Sequence, residues 1–284
     1  MAKRVYIGVG GKARKVKKIY IGVAGVARKV KKAYIGVGGV ARPFWSGGEL
    51  AYYGTATALS SGRTYHAAAT VGNYALFGGG YSYSSGYMTT VDAYSASLIR
   101  STPTALSVAR YKLAAAAVGN YALFIGGYYY DGEDQMNSTT IDVYNTSLTR
   151  STMTAAQVCF GNAAATVGDY ILYVRNNSAN SVVASIDASL TKGTAASLST
   201  ARYDLAAMTL GDFALFGGGC TSSSSRSAVV DSYDASLTMT VATSLSLARE
   251  YPQGIQVGDY GLFAGGNNGS SSGSYSAVVD VYTI

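Results

Sequence analysis

The stretch NYALFGGG at residues 73–80 decides the fold, because it returns as NYALFIGG at 120–127, DYILYVRN at 169–176, DFALFGGG at 212–219 and DYGLFAGG at 259–266. The aromatic that opens each copy stands at Tyr74, Tyr121, Tyr170, Phe213 and Tyr260, so the period runs from 43 to 49 residues. Each copy follows an alanine-rich apolar run ending in Gly-Asn or Gly-Asp, as in AAAAVGNY at 114–121. Such pairs suit two-residue hairpin turns, whose central residues need positive φ. A third run comes after each copy (TTVDAY, TTIDVY, VVASID, AVVDSY, AVVDVY), and a fourth, rich in Thr, Ser and Leu, follows most of them, such as STPTALS at 101–107.

Four short antiparallel strands per unit of roughly 45–50 residues describe a propeller blade. The five copies predict five blades. The chain stops on a third run, VVDVYTI at 278–284, while ELAYYGTATALS at 49–60 has the character of a fourth run with no blade before it. The expected architecture is all-β: a five-bladed propeller over 46–284 whose last blade is completed by 49–60, leaving no sheet edge open.

ARYKLAAAAVGNYALFIGG at 109–127 and STARYDLAAMTLGDFALFGGG at 199–219 resemble kelch motifs, with the arginine, the aromatic-apolar strand and the glycine doublet in place. The resemblance covers about residues 49–284 and implies a kelch-like propeller. Two departures stand out. The fourth-strand tryptophan of kelch repeats is missing, the single Trp being Trp45, and the third copy has Arg175 and Asn176 where the doublet belongs.

A second, shorter repeat precedes the propeller: VYIGVGGKARKVKK at 5–18, IYIGVAGVARKVKK at 19–32 and AYIGVGGVARPFW at 33–45. Each unit reads as a strand, a tight turn (Gly10–Gly11, Ala24–Gly25, Gly38–Gly39) and a basic strand, so residues 1–45 form a β-hairpin arm, with a linker at PFWSGG. A lone hairpin is marginal in water, which predicts pairing among the hairpins or with another subunit. Residues 1–48 hold twelve of the 22 Lys and Arg and no acid; the remaining ten bases face all fifteen acids. Opposite charge on the two regions points to two jobs. The tandem units resemble amino-terminal segments of structural proteins from phages and prophages of Gram-positive bacteria, and that resemblance implies a component of a virion or phage-tail-like particle.

In an antiparallel meander the 2–3 and 4–1 connections share one face. The 2–3 connections vary: GYSYSSGYM at 80–88, YYYDGEDQMNS at 128–138, NNSANS at 176–181, CTSSSSRS at 220–227 and NNGSSSGSYS at 267–276. Variable loops on a repeating frame are where binding resides, and Tyr, Ser, Gly and Asn together resemble a paratope. Candidate ligand-binding residues are Tyr81, Tyr83, Tyr87, Tyr128, Tyr129, Tyr130 and Asp131. Arg63, Arg110, Arg202 and Arg249 each lie eleven residues before the strand-two aromatic, where the third copy has Cys159. They either ring the channel mouth and bind carboxylate or phosphate, or pair with blade acids such as Asp92, Asp142, Asp231 and Asp280.

Nothing in the sequence assembles into catalytic chemistry. His66 is the one histidine and aligns with Leu113, Asn162 and Leu205 on an inner strand, so multi-His metal sites have no ligands. The three glutamates, Glu49, Glu133 and Glu250, are scattered, and the one conceivable glycosidase pair, Asp131 with Glu133, reads better as solvated loop acids. Cys159 and Cys220 fit no metal spacing. The reading is a non-enzyme without cofactor or metal. No apolar run is long enough to span a membrane, and MAKRVYIGVGGK has no apolar segment of a secretory signal. The expected role is a virion protein made in the bacterial cytoplasm. Its arm docks to other particle proteins or to sister subunits, as a homo-oligomer of which a trimer is one form. Its propeller loops bind a host-surface or mucosal glycan or receptor; nucleic acid is disfavoured. The alternative is an intracellular kelch-like scaffold for protein interactions.

Overall fold

A computed structural model of the chain describes residues 55–157, 159, 163–174, 179–257, 260–269 and 274–284 in full, and strand backbones within 6–46. The chain divides into two compact units, 1–55 and 56–284.

In the first unit each repeat is a two-stranded antiparallel hairpin: Tyr6–Val9 with Lys12–Lys15, Tyr20–Val23 with Val26–Lys29, and Lys32–Val37 with Val40–Ser46. The turn pairs named above lie outside the described residues. One boundary differs from expectation. The strand runs on through Pro43 and Trp45 to Ser46, with a register shift between Ala33 and Tyr34, where a linker was predicted. Both strands of a two-stranded sheet are edges, where proline is accommodated.

The second unit is a five-bladed β-propeller. Blade 1 comprises Ala67–Val71, Tyr74–Gly78, Val91–Ser95 and Arg100–Ser101; blade 2, Ala114–Val118, Tyr121–Ile125, Thr140–Asn145 and Arg150–Thr154. Blade 3 comprises Ala164–Val167, Tyr170–Val174, Val183–Asp187 and Lys192–Thr194; blade 4, Ala206–Leu210, Phe213–Gly217, Val230–Tyr233 and Met239–Ala242. Blade 5 has three strands among the described residues, Gln253–Val257, Tyr260–Ala264 and Val279–Thr283. The first strands line a central channel of about 310 Å3, bounded by His66, Ala67, Ala68, Leu113, Ala115, Ala164, Ala207, Gln253 and Gly254. That explains the alanine runs: where strands converge on an axis, only small side chains fit.

The core lies between blades rather than within them. Phe124 of blade 2 and Phe263 of blade 5 are fully buried against Gly78 and Gly217 of the preceding blades. Every 3–4 turn carries a leucine at positive φ (Leu98, Leu148, Leu190, Leu237). The polar residue opening the turn accepts two backbone N–H bonds, as Asp187 Oδ1 does from Ser189 and Thr191. Such Asx-type closure stabilises the bend locally and keeps this face short and uniform.

The arginines fasten one blade to the next. Arg110 pairs with Asp142 and donates to the carbonyls of Gly126 and Thr140, and Arg202 pairs with Asp231, 2.5 Å away. Arg63 meets Asp92, and Arg249 meets Asp280, both at 2.8 Å. Burial works against the Asp92 carboxylate, but hydrogen bonds from Arg63 and Ser60 outweigh it and hold its pKa below the usual range. Two residues along the strand, Tyr94, Tyr144, Tyr233 and Tyr282 donate their hydroxyls to the carbonyls of Thr57, Thr104, Ala196 and Thr243. The third-strand D-x-Y pattern is therefore a clasp on the incoming segment. Blade 3 lacks the charge pair as a unit: Cys159 replaces the arginine and Ala184, opposite Tyr173, replaces the aspartate, both fully buried.

Closure of the ring differs from the sequence reading. Residues 49–54 lie outside the described residues, and 55–60 form no strand. They belong to the clasp instead, with Thr57 on Tyr94, and Ser60 N and Oγ on Asp92. Between blades 5 and 1 the series of cross-blade bonds stops. Gly80, Gly127 and Gly219 donate N–H to the carbonyls of Arg110, Cys159 and Arg249; Gly266 makes no such bond to Arg63 among the described residues. Blade 5 exposes Ile255, Val257, Val279 and Val281 at 66%, 61%, 49% and 58%, and blade 1 exposes Leu98, whose counterparts Leu148, Leu190 and Leu237 are half-buried.

The exposure of both lips makes a test possible. A Cβ at Gly254 would lie 3.1 Å from Met208 Cβ across the seam between blades 4 and 5. Ala68 and Ile255 hold the same strand positions at the open seam. Ala68→Cys with Ile255→Cys is expected to keep both added thiols titratable under oxidising conditions, since a bridge needs Cβ atoms about 3.8 Å apart and the cross-blade bonds stop at this seam. Loss of two titratable thiols would mean that the lips meet.

Candidate binding face

The 2–3 connections and the segments entering each blade lie at one rim, joined by the bridges Thr64↔Tyr81, Tyr111↔Tyr128, Tyr203↔Cys220 and Glu250↔Asn267. Three connections are small ribbons rather than loops: Tyr81–Ser82 with Gly86–Tyr87, Tyr128–Tyr130 with Gln135–Asn137, and Cys220–Ser222 with Ser225–Arg226. Parts of the other two, 175–178 and 270–273, lie outside the described residues.

Strand geometry sorts the three consecutive tyrosines. Alternation places Tyr128 and Tyr130 on one side of their ribbon and Tyr129 on the other. Tyr128 and Tyr130 join Tyr81, Tyr83 and Tyr87 in a single aromatic cluster around Tyr111. Tyr87 stacks on Tyr111 with centroids 4.8 Å apart and planes 11° from parallel. Tyr128 and Tyr81 pack on Tyr111 at 5.6 and 6.3 Å, Tyr130 meets Tyr87 at 6.4 Å, and Tyr83 meets Tyr81 at 5.7 Å. Gln135 Oε1 accepts the Tyr111 hydroxyl at 2.7 Å and the Tyr87 hydroxyl at 3.4 Å, tying ribbon to ribbon. Aromatic pairs at such separations contribute about 0.5–1.5 kcal/mol each beyond area burial. The cluster is thus a rigid platform, with Tyr83 (98% exposed) and Tyr130 (55%) standing out from it.

The other sequence candidates fall elsewhere. Asp131 Oδ1 accepts the N–H groups of Glu133 and Asp134 at 2.9 and 2.8 Å and closes the ribbon turn; these bonds lower its pKa. The four arginine side chains are 0% exposed inside the blade joints. There they hold carboxylates and carbonyls of the protein itself, away from the rim.

The sequence reading missed the residues two places beyond each arginine. Tyr65, Lys112, Asp204 and Tyr251 all adopt left-handed backbone, with φ of 55°, 51°, 55° and 54°. Lys112 N donates to Tyr65 O at 2.9 Å and Tyr251 N to Asp204 O at 2.8 Å. They form a collar immediately above the channel, whose wall begins at His66, Leu113 and Gln253. Lys112 Nζ sits 5.5 and 5.7 Å from the Tyr65 and Tyr111 ring centroids, a cation held over two aromatic faces. Burial raises the Asp204 pKa, and the attraction of Lys112 and a hydrogen bond from Tyr251 only partly offset it. Beside them Glu250 accepts from Arg226 at 2.8 Å and from the Cys220 thiol at 2.8 Å; burial and this carboxylate push that thiol up to about 12. The only sequence signal for the collar was its fixed offset from the arginines.

No family model matches the chain, and no curated protein matches it. Among solved structures, that of YjhT superposes with a TM-score of 0.62 at 14% sequence identity, over 99% of this chain and 92% of that one. At this identity the likeness shows the propeller fold alone.

Proposed function

We propose that the chain is a structural protein of a virion or phage-tail-like particle, with a kelch-like propeller that presents a glycan-binding rim. The observation that carries the binding reading is the tyrosine platform spanning two blades, with exposed rings standing out from it. A sugar ring offers C–H faces that stack on aromatics and hydroxyls that pair with polar groups at their edges, and both kinds of partner occur on this rim. The particle reading is supported by the tandem basic hairpins, whose repetition suits docking to a repeating lattice and whose charge is concentrated in residues 1–48. In this role the propeller faces a host-surface or mucosal glycan, and the arm contacts other particle proteins or sister subunits. The protein does no chemistry.

The test has two arms. Tyr83→Ala with Tyr130→Ala is expected to reduce glycan-array signal at least tenfold while the propeller still unfolds cooperatively, because both rings are exposed. Deleting residues 1–45 should leave a soluble propeller that no longer co-sediments with the particle. Unchanged array binding removes the glycan role; continued incorporation removes the docking role.

A further inference from the structure

Building on the glycan reading, we infer that the channel mouth is a distinct end-on subsite for one sugar ring. Tyr65, Lys112, Asp204 and Tyr251 receive the ring there, and His66 and Gln253 lie beneath it. The ligand class is the terminal residue of a neutral glycan, entering edge-first from the rim.

Four independent features converge on this place. The first is backbone strain. Non-glycine residues in left-handed conformation are strained, and such strain is found at ligand sites as well as in turns. Here four occupy one repeat position, each just ahead of a strand that lines the channel. The 3–4 turns of the opposite face hold leucine in this conformation at every copy (Leu98, Leu148, Leu190, Leu237), whereas these positions differ from blade to blade, as Tyr, Lys, Asp and Tyr. The second feature is chemistry. The collar sets a fixed cation, a carboxyl group and two phenols, Tyr65 and Tyr251, that are more than half exposed, beside the Tyr111 platform. Donors and acceptors alternating with aromatic faces match a ring bearing hydroxyls on a C–H surface.

The third feature is the cavity below. About 310 Å3 accommodates one sugar ring but not a chain, near the small end of ligand pockets. The fourth is His66, whose Nδ1 is buried without a hydrogen-bond partner on a residue that lines this channel. Burial and the nearby Arg63 lower its pKa, so the imidazole is neutral at pH 7 and has one donor and one acceptor to offer. Charge argues against competing ligands. Lys112 and Arg226 are matched at the mouth by Asp204 and Glu250, leaving no cationic excess to draw phosphates, and all four blade arginines are committed to protein groups. A peptide needs a groove or an open sheet edge, and the collar is neither.

Saturation-transfer NMR with a panel of methyl glycosides of neutral hexoses and N-acetylhexosamines is the test, run on the full chain. At least one glycoside should receive saturation, and Asp204→Asn or Lys112→Ala should reduce its affinity at least tenfold. Tyr83→Ala should weaken array binding more than it weakens binding of this small probe. Both collar variants change exposed or half-exposed side chains, and unchanged melting temperatures confirm that they fold. If the array binds but no glycoside does, or collar variants bind like the parent, the subsite is absent and the platform alone carries recognition. If neither array nor glycoside binds, the glycan reading falls, and the subsite with it.

Discussion

Replacing Asp142 by alanine is expected to lower the melting temperature of the propeller by on the order of 10 °C. Asp142 is fully buried, and its two oxygens serve Arg110, Arg150 and the Ser107 N–H. Its loss strands the Arg110 guanidinium, also fully buried, between two carbonyls with no counter-charge. Breaking a buried pair from one side costs about 3–5 kcal/mol, and each kcal/mol moves the midpoint by about 2–4 °C in a domain of this size. Arg150 is 24% exposed, so Arg150→Ala should cost less than about 1 kcal/mol. Blade 3 supplies the decisive comparison. Its Cys159 and Ala184 show what the joint looks like with both charges removed, so Arg110→Cys with Asp142→Ala should recover much of the loss. Thermal unfolding of the three variants decides the matter: a midpoint shift under 2 °C for Asp142→Ala, or a double variant worse than the single, contradicts this account.

Gly126→Ala should be as damaging, for a steric reason. Gly126 has φ of +63°, and a Cβ there would lie 2.2 Å from the Cys159 carbonyl oxygen and 2.9 Å from its nitrogen. The obstacle is backbone of the segment entering blade 3, which cannot yield without prising the blades apart. Left-handed backbone alone costs an L-residue about 1–2 kcal/mol, and the clash adds to it, so a loss above about 3 kcal/mol is expected. Gly265 holds the same place in blade 5 with φ of +67°, yet the nearest atom to its Cβ is Ser276 O at 3.8 Å. Gly265→Ala should therefore cost only the conformational part. Denaturant midpoints for the two variants measure the difference; equal losses would mean that the seam between blades 5 and 1 is packed like the others.

The propeller was legible because its determinants are local and repeated. The Gly-Asn and Gly-Asp turns, the alanine runs and the D-x-Y strands each recur at a fixed place, and recurrence reveals a blade without any knowledge of contacts. The partnership of Arg110 with Asp142 was one of two readings open from sequence, since spacing says which residues repeat but not which way they face. The joint loss of Arg and Asp in blade 3 was half visible: Cys159 broke the arginine series, whereas Ala184 needed strand register to be matched with it. At the rim, composition found the tyrosines but could not separate Tyr129 from its neighbours, because it took a ribbon for a loop and so missed the alternation. The collar was hidden altogether. Its residues share a backbone conformation rather than a residue type, and a series of Tyr, Lys, Asp, Tyr has no signature in the letters.

The bonds around Asp92 have a mechanical consequence. Blade 1 holds the chain by the Tyr94 hydroxyl on Thr57, by Asp92 on Ser60 and by Arg63 on Asp92. These lie within eight residues of Ala56, where the second unit begins. Tension drawn along the chain from residues 1–55 arrives at these bonds before it reaches any strand of the propeller. The molecule is rigged like a moored vessel, with its cleat on the first blade.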